Sequence, residues 1–347
     1  MTNKAKNRRV TIADLAMHAG VSTATVDRVL NRRSTVRRKT IEKVLASAEE
    51  IGFRATRLVE TALNDTYLEK NLAVILLSQN QHFYKLLGES IQNEVYDKFP
   101  HCKLKIFYLD DLNHLTYTTL LNRISDAYDT IALVSPEHPQ IIEAVDKLAS
   151  NGVNIISLLS QLNTTEEIHH LGINPNVMGR LAAWYIHHMA NDNGAVGIIS
   201  GSKRFHCQSG YMSGFYSYFE EHAPDTEVIE STMSLENYSL ALESAEELLV
   251  CHPNLSAIYC AGGGSEGVIE ALKNHRTKKE IFTVCHELTD VTRDALNEGL
   301  VHTVLSTRKE QLIEQLFKVV YQSEGNNQLP LSFEPVLIDT YCRENIW

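Results

Sequence analysis

The chain has 347 residues, 44% hydrophobic and 22% charged, with 32 Lys+Arg against 43 Asp+Glu. That length exceeds one average core and suits a small domain joined to a larger one. No apolar run reaches the roughly 18 residues that cross a bilayer, and the basic start MTNKAKNRR has no apolar stretch behind it, so the sequence reads as a cytoplasmic protein with neither membrane span nor secretory signal.

Charge is divided unevenly along the chain. Residues 1–62 hold 13 Lys+Arg and 6 Asp+Glu, a local net of +7, which leaves -18 for residues 63–347. A basic first sixth on an acidic remainder suggests that the N-terminal piece meets a polyanion. The six cysteines, at 102, 207, 251, 260, 285 and 342, form no C-x-x-C pair and are expected to be reduced and mostly buried.

The first elements are two short helices with a tight joint. Thr11 is a candidate N-cap, and Ile12, Leu15 and Ala16 make an apolar face at helical spacing. Gly20 is free to take the positive φ that ends this helix, and Ser22 can cap the next, in which Val26, Val29 and Leu30 point inward. A third periodic segment runs from Thr40 to Ile51, with Ile41, Val44, Leu45 and Ala48 on one face. This is helix-turn-helix geometry, whose second helix enters the major groove. Its outer face, Thr23, Ala24, Thr25, Asp27 and Arg28, is small, polar or charged, and Arg32, Arg33, Arg37, Arg38 and Lys39 flank it where a phosphate backbone would run.

The run V-T-I-A-D-L-A-x-x-A-G-V-S-x-x-T-V-x-R-V-L-N from Val10 to Asn31, followed by Thr40-x-x-Lys-Val44 and Gly52-Phe53, resembles the headpiece of the lactose/galactose repressor family. The resemblance implies a dimeric regulator, read as a repressor, on a pseudo-palindromic operator. Thr11, Ser22, Thr23, Ala24, Thr25, Asp27, Arg28, Asn31, Arg32, Arg33, Arg37 and Lys39 are then the DNA-binding candidates. Arg28 can contact guanine through two hydrogen bonds, and Thr23 and Ala24 can offer methyl contacts to thymine. Asp27, where the family often has serine, either accepts from a cytosine amino group or orients Arg28 or Arg32. The next segment departs from the family's aromatic-x-Pro-Asn-x-x-Ala-x-x-Leu hinge: Ala55 and Thr56 replace proline and asparagine, Ala62 stands at the wedge position, and Leu63 follows it. Arg57, Ala62 and Leu63 are the minor-groove candidates, with the bend they impose altered by the shifted wedge.

From residue 71 onward strand-like apolar runs alternate with amphipathic helices. Strands are expected at 71–78, 103–109, 130–134, 153–158, 194–200, 226–231, 255–260, 280–285 and 301–305, and helices at 138–151, 175–190, 236–250 and 308–322 among others. Continuous apolar strands joined by helices indicate parallel sheets covered on both faces, more than one sheet's worth. This order resembles the periplasmic-binding-protein-like core of the same family. The full expectation is an all-α helix-turn-helix headpiece (1–55), a hinge (56–70) and an α/β core (71–347) of two doubly wound parallel-sheet subdomains. The resemblance implies an N-subdomain of about 71–162 and 304–328 and a C-subdomain of about 163–303 and 329–347, with a small effector in the cleft between them.

Open α/β sheets bind ligands at the carboxyl ends of their strands. The candidates there are Asn80, Phe83 and Tyr84 after the first strand, Glu137 and His138 after the third, and Ser160 after the fourth. The second half adds His206, Gln208, Tyr211, Ser265, Glu266, His286, Glu287 and Ser306. Aromatic faces suit the C–H faces of a sugar ring, and an ionisable pair such as His286-Glu287 at the end of a buried strand has few structural uses. Ser160, Tyr211 and Ser306 depart from the family's sugar-binding pattern, which leaves a sugar, a polyol, a sugar derivative or a sugar acid open.

A different class of function also fits one motif. Gly262-Gly-Gly264-Ser-Glu-Gly267 satisfies G-x-G-x-x-G between strand and helix, and Glu287 lies 20 residues beyond it, as in a dinucleotide-binding oxidoreductase. No proton-transfer constellation accompanies it, so the binding reading without cofactor, catalysis or metal is preferred. The adjacent pairs His169-His170 and His187-His188 suit opposite strand faces or a helix surface better than one metal. A headpiece on a dimerisation module without any effector is the third possibility.

Overall fold

The computed structural model describes residues 10–31, 36, 38–53, 69–190, 194–231, 233–275, 280–321 and 334–346. Three helices open the chain: α1 (Ile12–His18), α2 (Thr23–Asn31) and α3 (Arg38–Glu50). Thr11 and Asp14 form a reciprocal capping box, Thr11 Oγ1 accepting from the Asp14 amide at 3.3 Å and Asp14 accepting from the Thr11 amide at 2.9 Å. Gly20 takes φ +60°, which lets the Val21 amide bond back to the Ala16 carbonyl at 3.0 Å and ends α1. Ser22 then accepts from the Thr25 amide at 3.1 Å and starts α2. Leu15, Ala16, Ala19, Val26, Val29, Ile41, Val44, Ala48 and Phe53 close the core between the helices. Ile12, expected on the apolar face, is 40% exposed, because the short α1 turns only its Leu15–Ala16 side to its neighbours.

Two sheets follow. The first contains β1 (Lys70–Leu77), β2 (Cys102–Leu109), β3 (Thr130–Leu133), β4 (Asn154–Leu158) and β5 (His169–Leu171), all parallel in the order β2-β1-β3-β4-β5. Between them run α4 (His82–Lys98), α5 (His114–Ile124) and α6 (Pro139–Ser150). The second sheet contains β6 (Ala195–Ser200), β7 (Val228–Glu230), β8 (Leu255–Ala261), β9 (Phe282–His286), β10 (Thr303–Thr307) and β11 (Ile338–Tyr341) in the order β11-β10-β9-β8-β6-β7, with β11 antiparallel to β10. Its helices are α7 (Pro175–Met189), α8 (His206–His222), α9 (Tyr238–Cys251), α10 (Ser265–Asn274) and α11 (Asp290–Glu298). Residues Leu72–Leu77 of β1 are all buried, as a central parallel strand covered on both faces requires.

The nine expected strands appear with ends shifted by two residues at most. The sheets add β5 and β11, which are short and mixed in burial and so carry no continuous apolar run. Because β5 belongs to the first sheet, the chain first crosses between halves after Leu171, not at 162–163. The second crossing follows Thr307 rather than 303, since all of β10 lies in the second sheet while α12 (Lys309–Val320) returns to α4. Phe99 at the end of α4 stacks on Phe317 at 4.4 Å and on Tyr321 at 5.0 Å. The crossing segments run together: the Val336 amide donates to the Gly172 carbonyl at 2.9 Å, and the Arg308 amide to the Leu337 carbonyl at 3.1 Å.

Helices α7 and α8 pack at backbone contact. A Cβ on Gly179 would lie 2.0 Å from the Tyr211 carbonyl oxygen, and one on Gly214 2.1 Å from that of Asn176. All six cysteines are free; Cys102, Cys260 and Cys285 are buried and Cys207 half-buried, whereas Cys251 and Cys342 are exposed, so burial extends to fewer of them than expected. No helix among the described residues is long and apolar enough to cross a membrane.

Candidate nucleic-acid interface and ligand cleft

Helix α2 buries Val26 and Val29 and exposes Thr23, Ala24 and Arg28. Small groups at the helix start and an arginine one turn later are what a helix entering the major groove needs for close approach and base contact. Asp27 is half-buried, and the Thr25 hydroxyl is 2.8 Å from that of Ser22, so Thr25 faces its own cap. Thr11 and Ser22 are both caps, exposed at the starts of α1 and α2. Asn31 and Lys39 lie in α2 and α3; their side chains, and all of Arg32, Arg33, Arg37, Arg57, Ala62 and Leu63, lie outside the described residues.

A cleft of about 1240 Å³ separates the two sheets at the carboxyl ends of their strands. The first half contributes Ser78, Asn80, Gln81, Phe83, Tyr84, Asp110, Asp111 and Ser160; the second contributes Arg204, Cys207, Gln208, Tyr211, Glu236, Gly262 to Glu266, His286, Glu287 and Thr307. Hydrogen bonds bridge the halves. Gln81 Nε2 donates to the Glu236 carbonyl at 3.2 Å, the Glu137 amide to the Arg204 carbonyl at 2.7 Å, and the Cys207 amide to Ser160 Oγ at 3.3 Å. The Arg204 guanidinium donates to the Leu112 carbonyl. Phe83 and Tyr84 meet edge to face with ring centroids 5.2 Å apart, and Tyr211 meets His286 at 4.8 Å in the same way. These edges leave ring faces available to an apolar ligand surface.

His286 and Glu287 both line the cleft but do not pair with each other. His286 Nε2 is 2.8 Å from the Tyr259 hydroxyl, and burial pushes its imidazole down to about 3, so the ring is neutral. Glu287 accepts from Ser306 Oγ at 2.9 Å and from the Thr307 amide and hydroxyl at 3.1 and 2.7 Å; burial still holds its carboxyl above the usual range. Ser306 therefore stands behind Glu287 and does not itself reach the cleft wall.

A further carboxyl on the wall, Glu236, is not among the sequence candidates. The helix expected from 236 starts at Tyr238 behind the cap Asn237, which frees Glu236 to lie in the preceding loop at φ +62°. Its Oε2 accepts from the Gly263 amide at 2.6 Å and its Oε1 from Gln208 Nε2 at 3.1 Å; burial pushes the acid up to about 7. Gly262 and Gly263 of the G-x-G-x-x-G stretch serve this contact. A Cβ on Gly263 would lie 2.0 Å from Glu236 Oε2, and one on Gly262 2.2 Å from Gln208 Nε2. The chain's own carboxylate and amide thus fill the space against the glycine loop that a pyrophosphate would need. Among the described residues the non-glycine positions with positive φ are Leu159, Leu235, Glu236 and Glu287, and all four line the cleft. Backbone strain of this kind concentrates at ligand sites.

Asn80, Phe83, Tyr84, Ser160, Gln208, Tyr211, Ser265, Glu266, His286 and Glu287 thus come together on one cleft. Glu137, His138 and His206 do not line it. Glu137 accepts from Asn163 Nδ2 at 2.7 Å; His138 caps α6 and stacks on His114 at 4.0 Å; His206 is the first residue of α8. Capping removes His138 from the wall, because the start of α6 needs it, and Glu137 turns to Asn163 instead.

Residues 11–55 match the model of the lacI family of bacterial regulatory proteins, and residues 116–327 that of the periplasmic binding protein domain. The maltose regulon regulatory protein MalI of Vibrio furnissii is 32% identical over 114 residues, covering 28% of this chain and 81% of that protein. The core is similar to a periplasmic solute-binding protein from Actinobacillus succinogenes with bound D-allose, with a TM-score of 0.69 at 16% identity, covering 79% of this chain and 98% of that one. It is also similar to GanP, a glucose-galactose binding protein from Geobacillus stearothermophilus, with a TM-score of 0.70 at 12% identity over 80% and 99% of the two chains. At these identities the solved structures share the fold.

Proposed function

Since the chain belongs to the lacI family of bacterial regulatory proteins and carries a periplasmic-binding-protein domain behind its headpiece, we propose that it is a cytoplasmic homodimeric repressor whose affinity for a pseudo-palindromic operator is set by a small carbohydrate-like effector. In this reading Thr23, Ala24 and Arg28 of α2 read base edges. Thr11, Ser22, Thr25, Asp27 and Asn31 orient the helix or meet the backbone, and Arg32, Arg33, Arg37 and Lys39 hold phosphates. Arg57, Ala62 and Leu63 act in the minor groove between half-sites.

The observation that carries the effector reading is the cleft itself, with aromatic rings and carboxylates on both walls and hydrogen bonds from Gln81, Glu137, Arg204 and Cys207 across it. A ligand that touches both walls favours one angle between the halves, and a regulator uses that difference when its two angles differ in operator affinity. Phe83, Tyr84 and Tyr211 offer ring surfaces; Asn80, Ser160, Gln208, Glu236, Ser265, Glu266 and Glu287 offer polar contacts, with His286 and Ser306 holding them in place. The sugar ligands named for the solved relatives support a polyhydroxylated ligand. The test is selection of an operator from random DNA, then operator affinity measured by fluorescence anisotropy with and without each member of a panel of sugars, polyols and sugar acids. A compound that both stabilises the protein and shifts operator affinity is expected. Stabilisation by nicotinamide nucleotides alone would overturn the reading in favour of an oxidoreductase.

A further inference from the structure

The second wall of the cleft gathers three carboxyl groups that form no ion pair among the described residues. Glu236, Glu266 and Glu287 lie on it, half-buried, and Glu236 and Glu287 accept from neutral donors: the Gly263 amide, Gln208, Ser306 and Thr307. The cationic side chains on the cleft are engaged elsewhere. Lys203 pairs with Glu230 at 3.1 Å, Lys273 with Glu298 at 3.6 Å, and Arg204 is spent on the Leu112 carbonyl. Lys309 acts on Glu287 at a distance, and His286 is neutral. Across the cleft stand Asp110 and Asp111, the first accepting from Ser78 Oγ at 2.6 Å and the second from the Asn113 amide at 2.8 Å. A carboxylate taken out of water without a counter-charge is unfavourable, and a ligand that brings the missing charge recovers that energy.

We infer that the effector carries a protonated amine, as an amino sugar or aminated polyol does, and that Glu236 and Glu266 receive its charge. A neutral polyol can donate hydroxyls to these oxygens but leaves the excess charge in place; a sugar acid adds to it. The ring surfaces of Phe83 and Tyr84 on the opposite side suit the apolar face of the same ligand. The inference rests on the effector reading and narrows it from four chemical classes to one. A further consequence follows for protons. Burial pushes Glu236 up to about 7, so near neutral pH part of the free protein holds this proton, and an ammonium seated beside the carboxylate expels it.

The test is calorimetric titration of the full-length protein at pH 7 with glucosamine, galactosamine and mannosamine, their parent hexoses, their N-acetyl derivatives and glucuronate, in two buffers of different ionisation enthalpy. At least one amine is expected to bind about tenfold or more tighter than both its parent and its N-acetyl form, with proton release. In Glu236→Gln that advantage should fall to about threefold or less. Glu266→Gln, at the start of α10, provides the same reading if the first variant does not fold. An amine advantage that survives both substitutions overturns the assignment of its charge to these residues. Parent hexoses or glucuronate binding as tightly as the amines overturns the inference and leaves the effector reading standing; no binding by any of these compounds counts against both.

Discussion

Replacing Glu236 by glutamine should change stability in a pH-dependent way. Its carboxyl has an ordinary value of 4.5 and is pushed up to about 7 by burial. In the unfolded chain it ionises near the ordinary value; in the folded cleft it holds its proton until near neutrality. The favourable contribution of the protonated form is therefore fully present below about pH 4.5 and is lost as pH rises through 7. The gap corresponds to about 3 kcal/mol, an upper figure because the side chain is partly open to water in the cleft. Glutamine resembles the protonated acid at every pH. Without ligand, Glu236→Gln should come within about 1 kcal/mol of the parent at pH 5 and exceed it at pH 8 by up to about 3 kcal/mol, several degrees in Tm. Glu287, also raised, slopes the same way, while His286, pushed down to about 3, contributes stability above its ordinary 6.5 that is lost as pH falls. Both are present in the two proteins and cancel in the difference. Thermal unfolding of both proteins at pH 5, 6, 7 and 8 measures it. A difference in Tm that is the same at pH 5 and pH 8, or that favours the parent at pH 8, would refute the reasoning.

Other substitutions address the remaining links. Arg28→Ala should relax operator sequence preference at one position by about 1–3 kcal/mol, whereas Arg33→Ala should weaken binding to all sequences and reduce the salt slope by about 1; equal loss on specific and random DNA for both would contradict that division. Gly179→Ala places a Cβ 2.0 Å from the Tyr211 carbonyl, which no side-chain movement relieves, and should lower stability by about 2 kcal/mol or more in denaturant unfolding. Gln81→Ala removes a bond that joins the two halves and should open the free protein, read as a larger radius of gyration in solution scattering with little change in Tm.

The headpiece was legible because its signals are local. Thr11, Gly20 and Ser22 cap and turn the chain within a few residues of themselves, and the 3.6-residue spacing of Leu15, Val26, Val29, Val44 and Ala48 names the core before any long-range contact is known. The buried strands were legible for a similar reason: a strand covered on both faces must be apolar throughout, as at Leu72–Leu77. The edge strands β5 and β11 were not, since three or four residues of mixed burial are strands only by virtue of their partners. Their pairing moved the crossings between halves to Leu171 and Thr307.

At the cleft, sequence position indicated which strand ends would converge, and ten of the fourteen ligand candidates line it. It could not indicate direction. His138 faces its own helix start, and Ser306 faces Glu287. Glu236 was hidden by a helix boundary two residues out, and only the fold reveals that its carboxylate, 2.6 Å from the Gly263 amide, occupies the glycine loop that reads in one dimension as a dinucleotide motif. Caps and periodicity act within a turn or two of chain and are written in the sequence. The partners of a cleft carboxylate lie 27 and 28 residues away along the chain, and tertiary packing alone brings them to it.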